Sequence, residues 1–245
     1  MGGQEWHPME RKYLAFDIET ATDVPGDDFN WRPYRPLGIC CAAALPCDAK
    51  EPIVWCGRNP DGTPRKRMLQ SEAAKVVHEL AKLVGTGYTL LTWNGLGFDF
   101  DILSEESNSR NECKELALSH VDIMFHVFCD RGFPVALDKT AQALGIPGKP
   151  PGMSGVLAPQ LWAQGRFQDV LNYVAQDVRI VLQVALKCEE RRQFKWITRR
   201  GSTSSIDLLR GWLSVRDALG LPAPDTSWMN SPIPRSDFTQ WLGIL

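Results

Sequence analysis

Short apolar runs near the start of the chain predict strands. Residues 13 to 19, 37 to 45 and 52 to 57 are each rich in apolar residues and are bounded by proline, glycine or aspartate. No clear helical pattern separates the three runs. We therefore expect three antiparallel strands, with a long polar and proline-rich connection between the first two.

A helical pattern follows these runs. Apolar residues recur at helical spacing from residue 73 to residue 84, Ser71 is placed to cap the helix, and Gly85 follows it. Residues 89 to 94 then predict a further strand. The order of strand, helix and strand indicates an α/β sheet with a parallel component.

The second half of the chain adds two helical patterns and a tail of different composition. Residues 137 to 145 predict a short helix, and residues 167 to 194 predict a long one. We predict an α/β domain over residues 1 to 196, with a mixed sheet of about five strands flanked by helices. Residues 197 to 245 contain three tryptophans, too many for a disordered tail. We expect a helical appendage that packs on the domain or on a partner, such as a second copy of the chain.

Composition narrows the functional classes. The 245 residues are 44% hydrophobic and 23% charged, with a formal net charge of −2, so contact with nucleic acid would need a local patch or bound cations. The sequence has no apolar run of the roughly 18 residues that a membrane span needs, and its polar start lacks the apolar core of a secretory signal. Its seven cysteines include no CxxC pair. We expect a soluble, cytoplasmic protein with reduced thiols and no membrane partner.

Four soft ligands in the middle of the chain raise the alternative of a structural zinc site. They are Cys113, His120, His126 and Cys129. Their spacings are irregular, and the last two lie in an apolar run, so packed side chains are the preferred interpretation.

The first predicted strand carries two acids. Because side chains alternate along a strand, Asp17 and Glu19 share one face, while Phe16 and Ile18 share the other. Two neighbouring carboxylates repel each other unless a cation joins them. A solvated acidic pair is the ordinary alternative for such a strand end.

Further acids lie beside the later elements. Asp99 follows the strand at residues 89 to 94, and Tyr173 and Asp177 are i, i+4 neighbours beside the apolar stripe of the long helix. Taken alone, Asp99 could belong to a turn, and Tyr173 and Asp177 could be an ordinary surface pair. Together with the first-strand acids they would form an oxygen-ligand site for hard divalent ions, and two such ions can catalyse phosphodiester hydrolysis.

Three segments in this order resemble the exonuclease motifs of the DEDD superfamily of 3′→5′ exonucleases. They are FDIET, WNGLGFD and YVAQD, and the resemblance covers about residues 13 to 185. The first two are more similar to the proofreading domain of family B DNA polymerases and its stand-alone relatives than to the RNase D branch. The resemblance implies an RNase H-like fold.

The resemblance also implies roles for five residues. Asp17, Glu19 and Asp177 would bind one Mg²⁺ or Mn²⁺, and Asp17 and Asp99 would serve a second. Tyr173 marks the subtype with tyrosine in the third motif and would orient the attacking water, because a phenol with a pKa of about 10 is a poor base at neutral pH.

Two other acids are weighed against these. Asp101 is the rival of Asp99 for the second motif, but Asp99 ends the NGxxFD pattern and the two would point about 200° apart on a helix. Asp122 is interpreted as structural, with a supporting role as the alternative.

By the same resemblance, three residues would hold the 3′ end of the substrate. Thr20 would contact the terminal nucleotide, and Asn94 and Phe98 would flank the strand, Phe98 by stacking on a base or else only by packing on the helix. A group of basic residues would follow phosphates, or else form a solvated face: Arg191, Arg192, Lys195, Arg199 and Arg200.

The preferred function is metal-dependent removal of nucleotides from the 3′ end of a single strand. DNA is the preferred substrate over RNA, and the products would be nucleoside 5′-monophosphates. Two alternatives stay open. One is a catalytically inactive RNase H-like module that binds nucleic acid or protein. The other is a structure-specific endonuclease that uses the same metals.

Overall fold

The computed structural model describes residues 11–25, 31–148 and 152–243, and its centre is a mixed five-stranded sheet. The strands are β1 (Lys12–Thr20), β2 (Ile39–Pro46), β3 (Ile53–Cys56), β4 (Tyr88–Thr92) and β5 (Val121–Asp122). Their order in the sheet is β3-β2-β1-β4-β5. The first three pair antiparallel, whereas β4 and β5 run parallel to β1. The predicted α/β fold with a mixed sheet is confirmed.

Helices cover both faces of this sheet. They are α1 (Gln70–Gly85), α2 (Asp99–Ser107), α3 (Arg110–Ser119), α4 (Ile123–Arg131), α5 (Leu137–Leu144), α6 (Ala158–Ala163), α7 (Phe167–Arg191), α8 (Val215–Leu219) and α9 (Ser236–Thr239). Short 3-10 turns span Arg32–Tyr34 and Gln240–Leu242. None of the helices within the described ranges has the length and apolar character needed to cross a membrane.

The start of α1 differs from the prediction. Ser71 lies inside the helix, and Leu69 is the capping position. The carboxylate of Glu72 accepts a hydrogen bond from the Leu69 backbone N–H at 2.7 Å. The Glu72 side chain therefore satisfies the backbone N–H of the capping residue, and the predicted Ser71 cap is wrong.

Alternation along β1 divides its side chains between two cores. Phe16 and Ile18 pack with α1 and α2, whereas Tyr13 and Ala15 pack with apolar residues of α7 on the other face. The period of two then turns Asp17 and Glu19 toward α7. The predicted separation of acids and apolar residues on this strand is confirmed.

The long helix ends three residues before its predicted end. Arg192 adopts a left-handed conformation with φ of 51°, which terminates α7 at Arg191. The chain continues into a hairpin of β6 (Gln193–Ile197) and β7 (Thr203–Asp207), which crosses the predicted division after residue 196. Phe194 and Trp196 are buried because alternate residues of β6 face the core.

Two of the three tail tryptophans pack on the domain. Trp212 is fully buried, and its indole N–H donates to the carbonyl of Ala185 in α7 at 3.2 Å. Trp241 is buried in the other core. Trp228 is 66% exposed and meets Phe133 edge-on. The tail contains only short helices and includes β7, so it is less helical than predicted.

Candidate metal centre

Three acidic side chains from two elements converge at one end of the sheet. Asp17 and Glu19 lie on β1, and Asp177 lies on α7, which packs across β1 and β2. One ligand atom from each lies within 4.8 Å of the other two, and no other such group of three ligand residues occurs among the described residues. Glu19 and Asp177 are 6% and 5% exposed. Such buried charges repel one another unless a cation or a proton joins them.

Asp99 extends this group from another part of the chain. It is the first residue of α2, and its Oδ1 accepts a hydrogen bond from the Ile18 backbone N–H at 3.0 Å. Its carboxyl also shares a hydrogen bond with that of Asp17, which requires that one of the two be protonated. Burial, with a smaller contribution from the charge of Asp122, raises the pKa of the Asp99 carboxyl to about 7. All four predicted acids are therefore brought together.

Tyr173 lies one helical turn before Asp177 and hydrogen-bonds to its side chain. Burial raises the pKa of the Tyr173 phenol well above its ordinary value, and the negative charges of Asp177, Glu19 and Asp17 raise it further. The phenol therefore stays protonated at neutral pH and can donate a hydrogen bond, but it cannot act as a base.

A tight turn after β4 delivers Asp99 to this position. We call residues 93–98 the motif loop. Its Asn94 has φ of 69°, in the left-handed region that asparagine tolerates, and a Cβ at Gly95 would overlap the side chain of Thr92. The Asn-Gly pair therefore suits the backbone conformation of this turn, independently of any contact with a ligand.

The carboxylate of Asp122 stabilises the motif loop by accepting hydrogen bonds from its backbone. It accepts hydrogen bonds from the backbone N–H groups of Asn94 and Leu96, each at 2.9 Å, and from Phe125 at 3.0 Å. Despite these bonds, burial raises its pKa to about 6. Asp122 therefore has the structural role that the sequence favours.

The rival acid of the second motif lies outside the group. Asp101 forms an ion pair with Arg35, which also contacts Glu105 at 3.3 Å. The two acids of the second motif thus have different partners, and Asp101 anchors the segment after β1 to α2. Arg35 lies over the ring of Trp31, with its guanidinium carbon 4.8 Å from the ring centroid.

The residues predicted to hold the 3′ end lie around the same loop. Phe98 is half-buried and meets Trp31 edge-on, with ring centroids 5.4 Å apart. The side-chain oxygen of Asn94 is buried and accepts no hydrogen bond from the described residues. Thr20 is 5% exposed, and its hydroxyl lies 3.5 Å from the carbonyl of Thr22. Phe98, whose ring is half-buried rather than buried, is therefore better placed than Thr20 to meet a ligand through its side chain.

The zinc alternative fails because the soft ligands have other partners. His120 lies 2.9 Å from the Thr92 hydroxyl and 2.6 Å from the Ala117 carbonyl, and burial lowers its pKa to about 4. The ring of His126 accepts from the Leu213 N–H at 3.3 Å. Cys113 and Cys129 are buried in the apolar core.

The predicted basic group lies away from the acids. Tyr13, at the start of β1, hydrogen-bonds to Glu189 near the end of α7, so the helix runs antiparallel to the strand. Arg191 is about 21 Å further along the helix axis than Asp177. The hairpin of β6 and β7, which follows Arg191, is thus at the opposite end of the sheet from the candidate site.

Two residues of the tail contact the motif loop and have no counterpart in the sequence prediction. The indole N–H of Trp241 donates to the Leu96 carbonyl at 2.7 Å, and the ring of Phe238 lies directly against Gly97. The acceptor is a backbone carbonyl 145 residues away, so no motif in the sequence signals the contact.

Comparison with known proteins identifies the fold class of this site. The chain is similar to the structure of the family B DNA polymerase from the hyperthermophilic archaeon Pyrobaculum calidifontis, with a TM-score of 0.52 and 21% sequence identity. The similarity covers 76% of this chain but only 25% of the polymerase chain. No curated protein matches the sequence. A family model of the RNase H superfamily matches residues 63–187, just over half of the 245 residues, and the chain belongs to that superfamily.

Proposed function

We propose that this protein is a 3′→5′ exonuclease of the tyrosine-containing DEDD type, which removes nucleotides from the 3′ end of single-stranded DNA. The observation that carries the proposal is the convergence of Asp17, Glu19 and Asp177 within 4.8 Å, with Asp99 hydrogen-bonded to Asp17 beside them. The products would be nucleoside 5′-monophosphates.

The acids fit a pair of hard divalent cations. Asp17, Glu19 and Asp177 would hold one Mg²⁺ or Mn²⁺, and Asp17 and Asp99 would hold the second. Carboxylate oxygens are the ligands these ions prefer, and their charge would offset the repulsion within a largely buried site. When bound, the cations supply an activated water and stabilise the leaving oxygen of a phosphodiester.

The chain's own residues orient the reactants. The hydroxyl of Tyr173 donates its single proton in a hydrogen bond to Asp177, so it would position a water molecule by accepting a hydrogen bond from it. Asp99 also ties the second-motif helix to the backbone between the first two acids. Asp99 is thereby held beside the acids of β1 before any ligand binds, which lowers the cost of assembling the site.

The surroundings of the motif loop support a single-stranded end as the substrate. Phe98 presents a half-exposed ring that is backed edge-on by Trp31, an arrangement suited to stacking on a base. Asn94 brings a buried side-chain oxygen to the same loop, where it can accept a hydrogen bond from a nucleotide. Thr20 would contribute through its backbone rather than its hydroxyl.

The test is digestion of 5′-labelled single-stranded DNA and RNA of equal length, with Mg²⁺ or Mn²⁺. Wild type would be compared with Asp17→Asn, which preserves side-chain size, and with Asp138→Asn, a matched change at an exposed acid of α5. We expect a ladder that shortens from the 3′ end of DNA, unchanged in Asp138→Asn and lost in Asp17→Asn.

Three outcomes would contradict the proposal. A discrete internal cut would indicate an endonuclease, and digestion of RNA alone would overturn the choice of substrate. Absence of any metal-dependent product from wild type would leave an RNase H-like binding module.

A further inference from the structure

The last described residues of the chain contact the motif loop. We call Arg235–Leu242 the C-terminal brace. Its Trp241 donates an indole hydrogen bond to the carbonyl of Leu96 at 2.7 Å, in a buried position. Its Phe238 packs so closely on Gly97 that a Cβ there would lie 2.7 Å from the ring. These two contacts fix the middle of the loop that leads to Phe98 and Asp99.

The brace is itself anchored to the rest of the domain. The guanidinium of Arg235 donates to four backbone carbonyls at 2.8 to 3.2 Å, those of Cys129, Leu219, Leu221 and Pro222. The ring of Phe238 packs on Phe125 and Phe128, with centroids 5.5 and 4.6 Å apart. The position of the brace is therefore set by contacts that do not involve the acidic site.

Side chains from the core domain also reach the brace. Arg110 donates to the carbonyl of Trp241, and Arg32 donates to the carbonyl of Asp237. Arg32 also lies over the ring of Trp31, which backs Phe98. The brace thus touches both segments that flank Phe98, the motif loop and the segment after β1.

Leu96 is held through both polar groups of its backbone. Its N–H donates to Asp122, and its carbonyl accepts from Trp241. Asp99 follows three residues later as the first residue of α2. Movement of the loop at Leu96 would therefore displace the carboxylate that meets Ile18 and Asp17, because the intervening chain is too short to absorb it.

From these contacts we infer that Trp241 and Phe238 are positioning residues for the Asp99 half of the candidate metal centre. The inference rests on the proposed function for its account of that centre. It assigns the tail a role in the site, beyond packing on the domain. The Asp17, Glu19 and Asp177 group is carried by β1 and α7, which are elements separate from the brace.

The test compares two conservative changes of buried tryptophans. Trp241→Phe removes the hydrogen bond to Leu96 and retains an aromatic ring. Trp212→Phe is the matched control, because its indole also donates to a backbone carbonyl, that of Ala185 in α7. Mn²⁺ binding would be measured by electron paramagnetic resonance for both, with Asp99→Asn as the reference for a lost site.

We expect Trp241→Phe to weaken one of two Mn²⁺ sites by about tenfold, the lower end of the range for partners that orient metal ligands. Trp212→Phe should leave both sites unchanged. Hydrogen exchange at residues 94–98 should accelerate in Trp241→Phe alone, without metal or substrate present. If Trp241→Phe does not fold, Phe238→Leu replaces it with the same expectations.

Equal Mn²⁺ binding and equal loop exchange in Trp241→Phe and Trp212→Phe would overturn the inference. Failure of the proposed function gives a different result, because wild type would then lack nuclease activity while the exchange of residues 94–98 still depended on Trp241. The hydrogen-exchange measurement therefore tests the contact between the brace and the motif loop independently of nuclease activity.

Discussion

Asp99 accepts a hydrogen bond from the backbone N–H of Ile18 at 3.0 Å, across 81 positions of sequence. Ile18 lies between the two acids of β1, and β4 pairs with β1 only from Lys12 to Ala15. The Asp99 carboxylate therefore provides an acceptor beyond the part of β1 that pairs with β4. Asp99 therefore has a structural task as well as a candidate metal-binding one, and different substitutions can separate the two.

Substitutions at Asp99 should divide stability from activity. Asp99→Asn retains a side-chain oxygen that can accept from Ile18, so we expect near wild-type stability with activity reduced at least a hundredfold, in keeping with loss of a metal ligand. Asp99→Leu should also lose activity, and should cost about 1 to 3 kcal/mol in the free energy of unfolding, because it leaves a buried N–H unsatisfied. Urea unfolding and a nuclease assay measure the two effects. Equal stability of both variants would refute the structural task.

Tyr173→Phe should slow the reaction without weakening metal binding. Loss of the hydroxyl removes a group that orients water, an effect worth on the order of a hundredfold in rate. Tyr13→Phe is the matched control, since Tyr13 is buried and donates to a carboxylate, that of Glu189, at 2.6 Å. We expect the control to retain full activity. A rate loss of equal size in both variants would point to a general packing effect.

Metal binding should strengthen as pH rises. The pKa of Asp99 is raised to about 7, so its carboxyl holds a proton at pH 6 that a cation must displace. In the free protein this raised pKa contributes stability at low pH, which is lost as pH rises from about 4 through 7. The increase in melting temperature on adding Mn²⁺ should therefore be larger at pH 8 than at pH 6.

Asp99→Asn provides the control for this pH dependence, because its side chain has no proton to release. Its smaller Mn²⁺-induced shift should vary less with pH than that of wild type. An identical pH dependence in the two proteins would assign the proton to another group.

Two changes at Asn94 should separate its backbone role from its side-chain role. Its φ of 69° suits glycine, so Asn94→Gly should retain the turn, while Asn94→Ala should destabilise it by about 1 kcal/mol. If the side-chain oxygen contacts the substrate, both variants should show a raised KM. Full activity of Asn94→Gly would limit the residue to the backbone role. Steady-state kinetics with labelled DNA distinguish these results.

The first half of the site could be predicted from sequence because its determinants are local. The alternation that turns Asp17 and Glu19 to one face, and the spacing of Tyr173 and Asp177 on one helix, each lie within one element. Placing Asp99 needed the resemblance, since Asp101 has the same chemistry two residues later and the two differ only in their tertiary partners, Ile18 for Asp99 and Arg35 for Asp101.

The remaining differences from the prediction come from long-range or backbone interactions. The brace contact from Trp241 ends on a main-chain carbonyl, which carries no sequence signature. The early end of α7 depends on a left-handed conformation at Arg192, a residue type with no preference for it. The cap of α1 comes from the Glu72 side chain, although Ser71 is the residue type expected there.

The two halves of the candidate site should open at different rates, because a sheet strand carries one and a loop carries the other. Strand β1 lies between β2 and β4, and the part that carries Asp17 and Glu19 is paired with β2, so this backbone opens only when the sheet separates. Asp99 depends on a loop held by side chains from distant parts of the chain, and such loops open locally and more often. On warming, the protein should lose its second cation position while the first is still intact, so nuclease activity would fail before the fold does.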